Sequence, residues 1–144
     1  LLGIHKRFDF GNFFAGFCIG DGALAVYTRK KSVKLLGVPD GGEYSGETVF
    51  VTMNRLMTPQ ELAKRIRYTI VDDFTALMAM TDGVSDPQFV TDQNLQKISL
   101  WDNLWNELKK KVLDTEADSD IKALEWLDFW MEGEHDDRTI AILF

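Results

Sequence analysis

The chain has 144 residues, 45% of them hydrophobic and 27% charged, a size and balance that suit one domain with a real core. Its 16 Lys and Arg stand against 23 Asp and Glu, a net charge of -7, which argues against a nucleic-acid surface and is compatible with carboxylates gathered to hold cations. No apolar run approaches bilayer length and the opening residues do not follow a signal-peptide pattern, so no membrane partner is expected.

Asn12 to Ile19 is a Phe-rich apolar run that predicts a buried strand, with the only cysteine, Cys18, as a small buried hydrophobe. One cysteine excludes an internal disulfide and suits a reducing compartment. Gly20-Asp21-Gly22 breaks the run. Ala23 to Thr28 and Ser32 to Leu36 then read as two further strands, the three together forming an antiparallel meander. Gly37 to Gly46, with Pro39-Asp40-Gly41-Gly42, is loop by composition, and Glu47 to Thr52 alternates like a strand.

Thr58-Pro59-Gln60-Glu61 predicts a helix start: Thr58 caps, Pro59 takes the first helical position and Glu61 completes a capping box. Leu62, Ile66 and Ile70 follow at four-residue steps, one apolar helix face. Phe74 to Thr81 is apolar enough for a central buried strand. Thr91 to Ile98 and Ser99 to Leu113 read as helices, the second burying Leu100, Leu104, Leu108 and Val112 and ending in Lys109-Lys110-Lys111, a solvated run that complements the helix dipole. Ser119 caps a further helix to Glu132, stopped by Gly133, and Arg138 to Phe144 is the last strand. Trp101, Trp105, Trp126 and Trp130 form two i, i+4 pairs, read as an aromatic core between helices and sheet, with a docking surface as the functional alternative. Strands come first and last with helices inserted late, which is α+β and not alternating βαβ.

Two acidic turns stand out, each attached to a strand too apolar to be anything but buried. In Thr81-Asp82-Gly83-Val84-Ser85-Asp86 the strand delivers Asp82 to its end, Gly83 permits a backbone angle that a Cβ would forbid, and a tight turn can return Asp86 beside Asp82. In His135-Asp136-Asp137-Arg138-Thr139 the acids precede the last strand. Each turn alone is equally an ordinary Asp-Gly or solvated loop. Read together with Gly20-Asp21-Gly22, they allow one sheet to bring Asp21, Asp82 and Asp136 to a common edge. Carboxylates gathered there repel and raise each other's pKa unless a cation compensates them, and hard oxygen donors suit Mg²⁺ or Mn²⁺. His135, next to Asp136, invites an acid–base role, the plainer reading being a hydrated loop histidine.

This order of motifs resembles the metal-dependent protein phosphatases of the 2C type (the PPM family) in their bacterial form, over Asn12 to Phe144. The resemblance implies antiparallel β-sheets in a sandwich flanked by helices. It implies hydrolysis of phosphoserine and phosphothreonine by a water activated at a two-metal centre, with no nucleophilic Cys or Ser. It makes Asp82 and Asp136 metal ligands and gives Asp21 and Asp86 to a third, weaker metal. Asp137 stands where the family has Asn, and Gly22-Ala23 replace its Ser-Arg after Asp21. The family's upstream acidic segment with its phosphate-binding Arg, and its Asp-Gly-x-Gly turn, do not precede Asp21. With Leu1 in place of Met, this sets the expectation that residues 1–144 are the C-terminal portion of a single phosphatase domain, incomplete at its N-terminus and inactive alone. Implied partners are a phosphoprotein substrate and a cognate kinase, in the cytoplasm of a bacterium, with Mg²⁺ or Mn²⁺ as cofactor. Two alternatives stay open: a non-catalytic phosphatase-like domain that binds a partner or metal, and a haloacid-dehalogenase-like hydrolase, which needs an early Asp-x-Asp and alternating βαβ units.

Overall fold

The structure is a computed structural model that describes residues 1–39, 52, 57–114, 118–129 and 136–144. Seven strands are described: β1 (Leu2–Phe8), β2 (Gly11–Phe17), β3 (Ala23–Tyr27), β4 (Val33–Gly37), β5 (Ile66–Val71), β6 (Ala76–Met80) and β7 (Ile140–Leu143). The helices are α1 (Pro59–Lys64), α2 (Asp82–Phe89), α3 (Ile98–Leu108) and α4 (Ser119–Leu127). A 3₁₀ turn over Asp92–Gln96 precedes α3, and a π turn over Lys109–Leu113 extends it. No helix among the described residues is long and apolar enough to cross a membrane.

The strands form two antiparallel sheets, one ordered β1-β2-β5 and the other β4-β3-β6-β7. The fold is therefore α+β with stacked antiparallel sheets, as expected for a 2C-type phosphatase. Every described strand pair is antiparallel, whereas a haloacid-dehalogenase-like fold requires a parallel sheet.

The two central strands of the four-stranded sheet, β3 and β6, are buried on both faces, which is why they read as continuous apolar runs. Leu24, Val26 and Leu77 turn towards the three-stranded sheet and meet Phe14 and Leu36 in a small core between the sheets. Ala23, Ala25, Tyr27, Met78 and Met80 turn the other way and meet Phe89, Leu95, Trp101, Leu104, Leu108 and Trp126 in a larger core under the helices. Trp101, fully buried, donates its indole N–H to the Leu95 carbonyl, and the Trp105 ring lies tilted against those of Tyr27 and Phe144. Trp101 and Trp126 are thus core residues. Trp130, Pro39-Asp40-Gly41-Gly42 beyond Pro39, Glu47–Thr52 apart from Thr52, Gly133 and His135 lie outside the described residues.

Glycine sets how closely the sheets stack. A Cβ on Gly16 of β2 would stand 2.6 Å from Leu24 Cδ2 and from Leu36 Cβ, and 2.9 Å from the Leu36 carbonyl oxygen. Gly3 of β1 faces Leu24 and Leu77 in the same way.

Several expectations need correction. The meander holds only for β3 and β4, because β2 pairs with β1 and β5 while β3 belongs to the other sheet. Gly20, at φ +91°, lies in the crossing between them. β1 is a strand that no apolar run announces. The helix opened by Thr58 is capped as expected, with Glu61 N–H donating to Thr58 Oγ1 at 3.3 Å, but it ends at Lys64. Ile66 and Ile70 are strand residues of β5. A four-residue spacing is two strand repeats as well as one helical turn, and Ile-Arg-Tyr-Thr-Ile-Val has the β-branched and aromatic content that favours the strand. The segment after Asp82 is helix α2 and not a tight turn. Thr91 to Ile98 gives a 3₁₀ turn, and Ser99 to Leu113 divides into α3 and the π turn. Ser119 begins α4 without capping it; Asp118 precedes it at φ +65°, and the helix ends at Leu127.

Two outcomes test this packing. An alanine in place of a flexible glycine ordinarily stabilises through the unfolded chain. Gly16→Ala should instead lower stability by about 1–3 kcal/mol, because the Leu36 backbone cannot give way; urea unfolding measures it. The second concerns Tyr27, whose hydroxyl donates to Asp102 Oδ1 at 2.5 Å. Burial, then the hydrogen bond and charge of Asp102, push its pKa from 10.0 to about 12. The unfolded chain then releases this proton first, so stability should fall as pH rises from 10 towards 12. Urea midpoints for Tyr27→Phe should lose this alkaline slope.

Candidate functional site

The register of one sheet decides where the acidic turns lie. Ala23 of β3 pairs with Met80 of β6, and Met80 pairs with Ile140 of β7. Asp21 shortly before β3, Asp82 just after β6 and Asp136 shortly before β7 therefore sit at the same end of the four-stranded sheet. Asp21 and Asp82 line one cleft of about 400 Å³, together with Gly22, Thr81, Thr139 and the apolar Ile19 and Met80.

Thr81 joins the two sides of this edge. It is the residue before α2, where a threonine hydroxyl usually caps the helix. Here that hydroxyl makes no cap bond. It accepts from the Thr139 backbone N–H at 2.9 Å and donates to the Asp137 carbonyl at 2.9 Å. The Thr81 N–H adds a bond to the Thr139 carbonyl at 3.1 Å. The backbone after Asp136 is thereby fastened beside the start of α2.

Gly83 allows the approach. A Cβ there would stand 2.6 Å from the Asp137 carbonyl oxygen. Its requirement is room for the neighbouring segment, which corrects the expectation of an unusual backbone angle; Gly83 is an ordinary residue of α2. Gly22 has the same relation to the Met80 carbonyl, at 2.5 Å.

The carboxylates use their nearest amides. Asp82 Oδ1 accepts from Gly83 N–H at 2.8 Å, and Asp136 Oδ1 from Asp137 N–H at 3.0 Å. Asp86 stands one turn along α2 from Asp82. Loss of solvent around its carboxyl, then the charges of Asp82 and Asp92 and more weakly Asp21, push its pKa above the ordinary carboxylate value. Asp86 thus feels the charges of Asp82, Asp92 and Asp21, while Asp136 is joined to this group through backbone. Cys18 is buried, with its sulfur over the Gly22 carbonyl at 3.5 Å, as expected of a core residue.

The donor chemistry fits a hard divalent cation, since carboxylates are its preferred ligands. The donor number falls short of a complete shell: among the described residues no group of three or more His, Cys, Asp or Glu side chains is close enough to hold a metal ion.

Sequence reading passed over three residues here. Thr81 lies inside the Thr-Asp-Gly motif, so its hydroxyl was available to inspection. Arg138 donates to the Leu127 carbonyl at 3.0 Å and stacks over the Phe129 ring at 4.6 Å, tying α4 to the segment beside Asp136. Asp92 carries no local motif, and only folding brings it near Asp86.

Removing the Thr81 hydroxyl should loosen this edge. Thr81→Val should cost about 1–3 kcal/mol and raise amide exchange at Thr139, while Thr81→Ser retains protection. Gly83→Ala should loosen the same amide without removing any hydrogen-bonding group.

The sequence model of the family described as protein phosphatase 2C matches residues 4–128. That span includes Asp21, Asp82 and Asp86 and stops before Asp136. Comparison with curated proteins and with solved structures returned no match. On a family match over most of its length, the chain, with its two antiparallel sheets, belongs to the protein phosphatase 2C family.

Proposed function

We propose that this chain is part of a Mg²⁺- or Mn²⁺-dependent serine/threonine protein phosphatase, with Asp82 and Asp136 as metal ligands and Asp21 and Asp86 as accessory ones. The observation that carries the reading is the register Ala23–Met80–Ile140, which gathers three separate acidic turns at one sheet end. The raised pKa of Asp86 supports it, because like charges near that carboxyl are what a cation would neutralise. Donors from outside the described residues complete the shell in this reading. When bound, a divalent cation supplies charge neutralisation for the phosphate and a more acidic water.

This chain's own contribution is placement. Thr81 and Gly83 hold the Asp136–Asp137 backbone against the Asp82 turn, and α2 sets Asp86 one turn from Asp82. Phosphoproteins are the proposed substrates, a cognate kinase the proposed partner and a bacterial cytoplasm the proposed location, all following from the resemblance of the motifs.

The test has two arms. Mn²⁺ titration of the 144-residue chain, followed by electron paramagnetic resonance, should give binding that Asp82→Asn weakens by about tenfold or more. Phosphopeptide hydrolysis by this chain alone should be slight. In a protein that adds the remaining donors, Asp82→Asn should lower Mn²⁺-dependent turnover by at least about 100-fold, or roughly 3 kcal/mol, and Cys18→Ser should leave it unchanged. Wild-type Mn²⁺ affinity and turnover in Asp82→Asn would falsify the assignment.

A further inference from the structure

One buried side chain beside the acidic turns breaks the ordinary rules of packing. Ser85, in the middle of α2, is 3% exposed. Among the described residues its Oγ is the one buried side-chain oxygen that makes no hydrogen bond. A buried hydroxyl without a partner costs stability, and alanine at this place would remove that cost and favour the helix more. Unpaired buried groups are rare in folded proteins, and service at a functional site is one of the few reasons to keep one.

The usual outlet for this hydroxyl is closed. A serine inside a helix commonly turns its hydroxyl back to the carbonyl four residues earlier, here that of Thr81. That carbonyl already accepts two backbone bonds, from Val84 N–H at 3.0 Å and from Ser85 N–H at 2.9 Å, one for each lone pair. Ser85 follows Asp82 by three residues and precedes Asp86 by one, so α2 sets it on the buried flank of the stripe that carries both carboxylates. Its hydroxyl acts on one of them. Loss of solvent, then the charges of Asp82, Asp92 and Asp21, push the Asp86 pKa up, and the Ser85 hydroxyl is the group that works the other way.

We propose that Ser85 is a positioning residue for Asp86, its hydroxyl donating to one carboxylate oxygen so that the other is left for a divalent cation. Asp86 is exposed, and in the metal-free chain water solvates its carboxylate while the serine stays unpaired. A carboxylate that ligates a cation must keep one orientation, and a donor behind it fixes that orientation. Ser85 can act as such a donor because its helix does not move away: Val84 and Phe89, on either side of it in α2, are both in the core under the four-stranded sheet. The stability given up in the metal-free chain is then recovered on binding. This inference rests on the metal-dependent reading above and adds a residue to it.

Measurements on the 144-residue chain test it. Mn²⁺ affinity, followed by electron paramagnetic resonance, should fall about tenfold in Ser85→Ala. In an Asp86→Ala background the same substitution should change the affinity by less than about twofold, because the acceptor is gone. Without metal, the urea midpoint of Ser85→Ala should equal or exceed that of the wild type, the opposite of what a merely structural serine gives. Wild-type Mn²⁺ affinity in Ser85→Ala, an equal loss in the Asp86→Ala background, or a lower metal-free midpoint would each overturn the proposal. Asp82→Asn separates the two levels of the reading. Weaker binding there beside unchanged binding in Ser85→Ala removes the role of Ser85 alone, whereas unchanged binding in Asp82→Asn removes the metal site and this role with it.

Discussion

Burial of β3 and β6 on both faces is the constraint on which the molecule depends. Each strand sends alternate residues into two different cores, Leu24, Val26 and Leu77 towards the other sheet and Ala25, Met78 and Met80 towards the helices. A slip of one residue in either strand would exchange its two sets, sending residues shaped for one core into the other. The register is therefore held from both sides. Because it is held, the ends of β3, β6 and β7 coincide, and the turns that follow or precede them share one edge.

That edge is a place where charge gathers against low-dielectric protein. The packing that brings Asp21, Asp82 and Asp86 together also withdraws water from Asp86, so the site carries an electrostatic cost in exchange for a fixed arrangement of donors. Its rigidity comes from backbone and hydroxyl contacts, chiefly those of Thr81, and from the absence of a side chain at Gly83. Arg138 extends the same edge to α4, so that the helix layer and the acidic turns share a common anchor.

The two faces of the three-stranded sheet differ for a related reason. Its inner face carries Gly3 and Gly16, which let the sheets approach closely beside the buried Phe14, while most of its large apolar side chains lie on the outer face. An outer row of Ile, Phe and Tyr is what a covered sheet would show. Sequence periodicity could not reveal this, because Ile66 and Ile70 fit a helix face as well as a strand face. The spacing is the same in both; only pairing of β5 with β2 distinguishes them.

What the amino-acid sequence determined by itself was local: the apolar runs of β2, β3 and β6, the Thr58 cap, the α+β class, and the three acidic turns with Asp21, Asp82 and Asp136 in the order that the 2C-type resemblance uses. These are set by side-chain chemistry within a few residues, where propensity and turn geometry act. Tertiary structure alone decided that β2 and β3 lie in different sheets, that Asp82 begins a helix, and that Gly83 serves the passage of the Asp137 carbonyl. It also decided that Asp92 joins the charged group around Asp86. Each of those depends on a neighbour distant in sequence, and contact between distant residues is fixed by packing, which no short window of residues contains.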